Sequence, residues 1–521
     1  MNVGFANMFS FRPHVEHLYY LSTLLKNAGH NVFFLTCDAS VSNCYPRGIK
    51  GSSKLKECSK CILGGVRSYP ASAITSIRSK GRFNIEPLDE TTLDKLALSS
   101  SCTLNRTEAE NDWNLPEVVA VRRSLHSPIQ STYISARQWI DDNRLDAVIC
   151  FNGRMDMTRA VTYACEQAGI SYVTHERTWF GDGLQLIPNA NCLSLDALNK
   201  MVKEFDSKPL NKQQASIAGK LAGERFLQRN SLEWRLYNKN PQPSQWPLQG
   251  KGPKVLVLPS SKNEFAGHLE WMTEWTDNTM ALDDMFSVFS IKPEQVVVRF
   301  HPNWAENIGR VSGDRSQDLY LEWVRKRGIY YIASDQKAST YDLIQQADIV
   351  VLNGGSSAVE AGSCGKQVIC LGPSTYQKAG FVRVFLDKAS LMRPEALTPI
   401  DPDTVIRKTL RFLYVRSHRF PQYVNHVQAI ETTRYEYKDG ADPERLISML
   451  RSGKLEADDP VYADDESEED SVVKALKDKR WGSLADYTIR RFEGRQLNIR
   501  RRPGLHWLDS YRSMFPRGDR G

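Results

Sequence analysis

Three loops hold most of the reactive side chains of this 521-residue chain. The first is Val298-Arg299-Phe300-His301-Pro302-Asn303, at the close of an apolar run. In a strand, Arg299 and His301 share the face opposite Phe300, and Pro302 then ends the pairing because it has no N–H to donate. A histidine fixed by the next proline can donate to a phosphate or a base edge, although for His-Pro alone a packed turn histidine is the plainer reading. The second loop is Asn353-Gly354-Gly355-Ser356-Ser357, between the apolar run 349–352 and a short helical pattern carrying Glu360. Its glycines let backbone approach a ligand, and Ser356 and Ser357 stand where a helix begins and an anion is favoured. Glu360 suits ribose hydroxyls or simply complements the helix dipole. The third loop, Ser260-Ser261-Lys262-Asn263-Glu264-Phe265, offers one cation and one carboxylate after another apolar run.

Two further groups lie earlier in the chain. Asn152-Gly153-Arg154 and His175-Glu176-Arg177 each follow a run that reads as a strand, and His14, Glu16 and His17 open the first helix. Transfer of a phosphate-linked group onto an acceptor hydroxyl needs a carboxylate or imidazole to take the hydroxyl's proton, and cations or helix N-termini to hold the leaving phosphate. Glu176 is the expected base and Glu264 the next carboxylate. His14, His17, Asn152, Arg154 and Arg177 are expected to bind the acceptor. An ion pair between Glu176 and a neighbouring arginine, or an exposed helix start at His14 and His17, is the non-catalytic alternative. Cys37, Cys44, Cys58 and Cys61 fall within 25 positions, and Cys58-x2-Cys61 has the knuckle spacing of a zinc site. A structural zinc and free thiols in an irregular insertion are the two readings. No Asp-x-Asp motif lies between a strand and a loop, so transfer without a metal or other cofactor is expected. Cys102, Cys150, Cys165, Cys192, Cys364 and Cys370 sit in or near apolar runs and read as core thiols.

The elements that must carry these loops are α/β. Apolar runs at 3–6, 32–35, 147–150 and 171–174, separated by helical patterns at about 13–27 and 157–168, describe parallel strand–helix–strand units. A Pro-, Gly- and Gln-rich stretch at 240–253 reads as the domain boundary. A second set of strands follows at 255–258, 296–300, 330–332, 349–352 and 368–371. Two Rossmann-like domains, 1–240 and 254–450, are expected, with a cysteine-rich insertion at about 37–61 and a charged segment at 451–521. Ligands of such sheets lie outside the carboxyl ends of the strands, where these loops fall.

Composition sets the class. With 41% hydrophobic and 25% charged residues the chain is globular, neither disordered nor collagen-like, and no run is long enough to span a membrane. Its beginning lacks a basic stretch followed by a long apolar one, so no signal peptide is expected. A cytoplasmic location, at the inner face of the membrane, follows as an expectation. Nine acidic residues and no basic one lie in 456–470, which reads as a solvated linker. From 471 to 520, thirteen Lys/Arg face five Asp/Glu, and Arg490, Arg491, Arg495, Arg500, Arg501 and Arg502 alternate with Trp481, Phe492, Trp507, Tyr511 and Phe515. That tail suits an anionic membrane surface or pairing within the molecule. With no nucleic-acid module elsewhere, nucleic acid ranks last.

Taken together, Arg299-x-His301-Pro302 and the strand ending in Ser356-Ser357 before Glu360 resemble the HP and SS motifs of bacterial sialyltransferases and Kdo transferases. The closer resemblance is to capsule-polysaccharide biosynthesis glycosyltransferases, through Ser260-Ser261-Lys262-Asn263-Glu264-Phe265, Asn152-Gly153-Arg154 and His175-Glu176-Arg177. It spans about residues 145–380 in order. Thr178 stands where the family often has Gly, and Asn353-Gly354-Gly355 is richer in glycine than its usual approach to the serines. The resemblance implies a GT-B fold with the donor nucleotide in the second domain and the acceptor mostly in the first. Lys262, Arg299, His301, Pro302, Gly355, Ser356, Ser357 and Glu360 would hold a nucleotide-sugar, tilted toward a CMP-activated acidic sugar such as Kdo. The acceptor would be a surface polysaccharide or glycolipid. A CDP-polyol phosphotransferase of the teichoic-acid kind and a non-catalytic polysaccharide-assembly subunit are the rival expectations.

Overall fold

The computed structural model describes residues 1–64, 72–77, 85–233, 241–307, 311–497, 499 and 507. Tail residues Arg500, Arg501, Arg502, Tyr511 and Phe515 lie outside the described residues. The first lobe is built on β1 (Asn2–Asn7), β2 (Asn31–Thr36), β3 (Ala73–Ser76), β4 (Ala147–Phe151), β5 (Ser171–Arg177) and β6 (Leu184–Pro188). They form one sheet in the order β3-β2-β1-β4-β5-β6, parallel except for the last pair. β7 (Val255–Leu258), β8 (Val296–Arg299), β9 (Tyr330–Ile332), β10 (Ile349–Leu352), β11 (Gln367–Leu371) and β12 (Val382–Phe385) form the second, wholly parallel sheet. Its order is β12-β11-β10-β7-β8-β9, the same topology as the first. Both are the doubly wound Rossmann order, and both switch direction between their first and fourth strands. The fold is α/β, two Rossmann-like domains facing a cleft, the GT-B arrangement expected from the sequence.

The strands read in the sequence form because short Val/Ile/Leu runs can be buried on both faces only in a sheet covered by helices on each side. β4, β7, β8 and the last three residues of β10 are buried throughout. Turn residues end them. After β4, Asn152 and Gly153 both take left-handed backbone (φ 64° and 70°), a conformation Asn tolerates and Gly adopts freely. A Cβ on Gly153 would lie 2.5 Å from Thr174 Cγ2, so only glycine fits.

Packing does not follow chain order, and here the molecule departs from a division at 240. Helices Asp196–Phe205 and Lys212–Phe226 bury Leu198, Met201, Phe205, Ala218 and Ala222 in the same core as Leu256, Val350 and Val368 of the second sheet. Conversely, Val427 and Tyr437 of the hairpin β13 (Val427–Glu431) and β14 (Arg434–Tyr437), with Leu446 and Leu450 of helix Pro443–Ser452, pack on Val3, Leu18 and Ile149 of the first. Each lobe therefore borrows its last layer from the other half of the chain.

The acidic run is not a solvated linker. Glu469 is fully buried, receiving two hydrogen bonds from Arg411 at 2.9 Å each and one from the Leu210 N–H at 2.8 Å. Asp470 and Glu466 pair with Arg407 and Arg411, and Asp459 accepts from Gln214 Nε2 and Tyr414 Oη. Arg407 and Arg411 of helix Pro402–Tyr414 pair with three of the run's nine carboxylates, Glu466, Glu469 and Asp470, and hold that end of the run against the protein. Helices Asp470–Lys477 and Trp481–Ala485 then cover helix Lys212–Phe226, with Trp481 stacked on Phe226 at 3.9 Å. Beyond them Arg491 pairs with Asp182 and Arg495 with Asp439, so the described part of the basic tail contacts the protein's own carboxylates. No helix among the described residues is long and apolar enough to cross a membrane.

The lobes also meet through the segment after helix Glu90–Asn105. Arg106 donates to the carbonyls of Glu306 and Asn303 at 2.8 and 3.1 Å. Glu108, buried, accepts from Ser316 Oγ and from the Lys262 N–H at 3.2 Å. Burial pushes the Glu108 carboxyl up to about 7 against the hydrogen bonds it accepts. A carboxyl that holds its proton more tightly when folded adds full stability below its unfolded value of about 4.5. That stability falls as the unfolded chain ionises first and is gone above about 7. Glu108→Gln should therefore flatten the decline of stability between pH 5 and 8 and stabilise the protein by about 1–3 kcal/mol at pH 8. Its amide can donate to Ser316 Oγ while its oxygen still accepts from Lys262. Unfolding midpoints measured across that range, if parallel for the two proteins, would refute this.

Candidate active site

At the carboxyl ends of β7, β8 and β10 a cavity of about 270 Å³ opens between the lobes. Ser260, Arg299, His301, Pro302, Gly355, Ser356, Ser357 and Glu360 line it from the second lobe, and Trp179, Arg225, Asn230 and Glu233 from the segment before the linker. Seven of the eight residues expected to hold a donor are thus brought to one place. The switch point of the second sheet explains how. Asn353 Oδ1 accepts from the Ser260 N–H at 2.6 Å and its Nδ2 donates to the Ser260 carbonyl at 2.7 Å, joining the loops after β7 and β10. Gly355 lies so close that a Cβ there would come within 2.6 Å of Ser260 Oγ.

The eighth, Lys262, turns away. It lines a separate small cavity with Glu108, Glu110 and Trp275, where burial depresses its ammonium against the pull of Asp277 and Glu108. The loop after β7 packs under helix Glu90–Asn105, whose Ser99 donates to the Glu264 carbonyl at 3.0 Å. That contact carries Lys262 to the lobe interface, and it leaves the Glu264 side chain exposed.

Within the cavity the polar groups differ in what they have left to give. Arg299 is spent on backbone: it donates to the carbonyls of Phe300, Ala333 and Gln336 and so fixes the loop after β9. Carbonyls do not neutralise it, and although burial lowers it to about 10 it stays cationic at neutral pH. His301 accepts from the Asn303 N–H at 3.2 Å through Nδ1, which assigns the ring proton to Nε2. Burial brings His301 down to about 4, so it is a neutral donor.

Arg225, at the end of helix Lys212–Phe226, is the centre of a network that sequence reasoning missed. It donates to Glu360 Oε1 at 2.9 Å, to Glu233 Oε2 at 2.5 Å and to Ser356 Oγ at 3.2 Å. Glu233 also accepts from Trp179 Nε1 and Asn230 Nδ2, each at 2.9 Å. Burial opposes the Arg225 charge, yet the two carboxylates hold it above its usual value. Glu360 keeps its Oε2 buried with no hydrogen-bond partner among the described residues, an acceptor ready for a hydroxyl. The only sign in the sequence was Arg225 on the helical face of Ala218 and Ala222, a charge in an apolar stripe.

The residues expected to meet the acceptor divide in two. Glu176, at the end of β5, accepts from Asn152 Nδ2 at 3.1 Å and from the Arg177 N–H at 3.0 Å, and His14 Nε2 lies 3.1 Å from its Oε1. The carboxyl sits largely enclosed, and burial pushes it upward. Burial and the Arg177 charge push His14 well below the usual imidazole range, so it meets Glu176 as a neutral ring. Thus His14, Asn152 and Glu176 form one constellation. It stands at the first sheet's switch point and is not in the wall of the donor-side cavity, although Trp179, three residues on, is.

The others hold structure. Arg154 donates to Ser99 Oγ and Thr103 Oγ1 at 3.0 Å each, and Arg177 to the Leu232 carbonyl at 2.6 Å. His17 is fully buried with Nδ1 3.0 Å from Tyr437 Oη. Cys37, Cys44, Cys58 and Cys61 do line one small cavity, with Met8, Phe9 and Ile62, but among the described residues no group of three or more His, Cys, Asp or Glu is arranged to hold a metal ion. All ten cysteines are free thiols.

No family model matches the chain, and no curated protein does. Solved structures do. The KpsC beta Kdo 2,4 transferase of Thermosulfurimonas dismutans matches at 12% identity over 64% of this chain and 87% of its own, with a TM-score of 0.31. The beta Kdo 2,7 transferase of the same protein matches at 12% over 66% and 89%, with a TM-score of 0.32. MurG of Acinetobacter baumannii matches at 10% over 78% and 94%, with a TM-score of 0.26.

Proposed function

We propose that the chain is a glycosyltransferase that moves a sugar from a nucleotide-sugar donor onto a polysaccharide or glycolipid acceptor. One observation carries the reading. Loops more than 50 positions apart converge on a single interlobe cavity that presents a neutral imidazole donor (His301), a persistent cation (Arg299), hydroxyls (Ser356, Ser357) and an unshared carboxylate oxygen (Glu360). That set suits a nucleotide-sugar: hydroxyls and a charge for phosphate, an acceptor for ribose. In transfer, the bond from the anomeric carbon to the leaving phosphate oxygen breaks as the acceptor oxygen bonds to that carbon. The acceptor's proton passes to Glu176. The charge that develops on the phosphate meets His301 Nε2–H and the field of Arg299, which are in place beforehand and need no reorganisation. The donor's base and sugar follow the motif resemblance, toward a CMP-activated acidic sugar.

Titration of the protein with CMP, UDP, GDP and CDP, followed by thermal shift or calorimetry and repeated on His301→Ala, tests this. One nucleotide should stabilise the wild type, by about 2.7 kcal/mol at a hundredfold excess over Kd, and His301→Ala should lose that gain. Binding of none of the four would remove the donor site and leave an assembly role as the better reading. Selective binding of CDP with transfer of a polyol phosphate would point to the phosphotransferase.

A further inference from the structure

Helix Lys54–Leu63 carries aliphatic side chains where a surface helix would carry polar ones. Leu55 is 82% exposed and Ile62 47%. Seven positions apart, they lie two turns along one side of the helix. The inner side holds the helix to the protein. Glu57 is buried and paired with Lys50 at 3.0 Å, and Cys58 and Cys61 line a small cavity with Cys37, Cys44, Met8 and Phe9. The thiols act there as small apolar groups. Ser53 caps the first turn, its Oγ accepting from the Lys56 N–H at 3.3 Å, so the helix start is held as well.

Around Leu55 and Ile62 the exposed charges have one sign. Lys54, Lys56 and Lys60 are all exposed. Between positions 42 and 64 five cations stand against the single carboxylate of Glu57, which Lys50 already meets. Exposed apolar side chains elsewhere, such as Leu269, Leu397 and Tyr462, have Glu270, Glu395 and Asp464 close by in the chain. An apolar line bordered by lysines, with no carboxylate exposed beside it, fits a surface that offers acyl chains and negative charge together. The described part of the basic tail is less available for that role, since Arg491 and Arg495 meet Asp182 and Asp439.

The helix stands at the rim of the first lobe that carries Glu176. Ser10 Oγ, in the loop after β1, donates to Cys61 Sγ at 3.5 Å, and Arg12 Nη2 donates to the Gly64 carbonyl at 3.4 Å. A Cβ on Gly64 would lie 2.5 Å from Ser10 Cβ, so the helix end and this loop are in direct contact. Two residues after Arg12 comes His14, whose ring meets Glu176 at 3.1 Å.

We propose that helix Lys54–Leu63 docks the first lobe on an anionic lipid surface, with Leu55 and Ile62 at the boundary of headgroups and acyl chains and the lysines at lipid phosphates. Docked in this way, the rim with His14 and Glu176 lies close to the bilayer, where a lipid-anchored acceptor would be presented. That last step rests on the transferase reading; the docking itself does not.

The test is co-sedimentation of the full chain with vesicles of phosphatidylcholine alone and of phosphatidylcholine mixed with phosphatidylglycerol. The wild type should bind the mixed vesicles, bind the neutral ones far less, and be released by salt. Replacing two cations in Lys56→Gln/Lys60→Gln should weaken binding to the mixed vesicles about thirtyfold. Leu55→Gln, at an exposed position, should weaken it about tenfold with unchanged salt dependence. Unfolding midpoints within a few degrees of wild type establish that the variants fold. Wild-type binding that the two variants retain in full would overturn the inference, as would equal binding to both kinds of vesicle. Absence of binding to the mixed vesicles would overturn it too, and would leave the exposed line to a protein partner. Titration of the same variants with CMP, UDP, GDP and CDP keeps the two readings apart. Nucleotide stabilisation without vesicle binding removes the docking alone, and vesicle binding without any nucleotide removes the transferase alone.

Discussion

Replacing Arg225 by methionine should destabilise the protein by about 3–5 kcal/mol and abolish stabilisation by a nucleotide. Arg225 pairs with both Glu233 and Glu360, all three are buried, and it also holds Ser356 Oγ. Without it two carboxylates face each other in a poorly solvated pocket, and one of them must take up a proton or drag in water. Burial already pushes Glu360 upward with the arginine in place. The loss should therefore be larger at pH 8 than at pH 5, because protonation relieves it. Arg225→Lys should recover part of the stability, since one ammonium cannot meet Glu233, Glu360 and Ser356 in the same geometry. Denaturant midpoints at the two pH values measure this. A shift below about 1 kcal/mol at both would mean that Glu233 and Glu360 do not depend on the arginine.

Glu176→Gln should lower kcat by about 10²–10⁴-fold while nucleotide affinity stays within a factor of two, since the carboxylate lies outside the donor-side wall. The substitution is close to isosteric. Asn152 can still donate to the amide oxygen, and His14, whose Nδ1 has no partner, can change tautomer to receive the amide N–H, at the loss of the hydrogen bond that the Arg177 N–H gives to Oε1. Because burial raises the Glu176 carboxyl, the base is lost by protonation at a higher pH than an ordinary glutamate would be. The acid limb of kcat should lie correspondingly high in the wild type and vanish in the variant's residual rate. Retention of wild-type turnover by Glu176→Gln would move the base to the exposed Glu264 or to the acceptor-side histidines.

Much of this was legible from residue types. Short β-branched runs closed by Gly, Pro or Asn mark the strands because only such runs fill a two-sided core, and the donor-side loops follow those strands directly. The failures share a cause, which is that chain neighbours diverge. His14 and His17 open the same helix, yet one ring meets Glu176 and the other a tyrosine 420 positions away. Lys262 follows the same strand as Ser260 but is carried off by a helix of the opposite lobe. Nothing near either residue encodes that partner. The acidic run misled for a related reason: its carboxylates read as solvated, yet Glu466 and Glu469 meet Arg411 of a helix 55 and 58 positions earlier. Arg225 was hidden by distance too, since it completes a site whose other loops begin beyond the linker.

The exchange of outer layers between the lobes has a consequence for biosynthesis. Strands β1 to β6 leave the ribosome early, but the hairpin and helix that cover Val3, Leu18 and Ile149 are encoded about 240 residues after β6. At roughly 5–20 residues per second, that apolar face stays uncovered for tens of seconds. Helix Lys212–Phe226 meanwhile waits for a sheet that has not yet been made. The nascent chain should accordingly occupy chaperones until nearly all of it is translated, and a fragment ending at the linker should be insoluble by itself although it contains a complete six-stranded sheet.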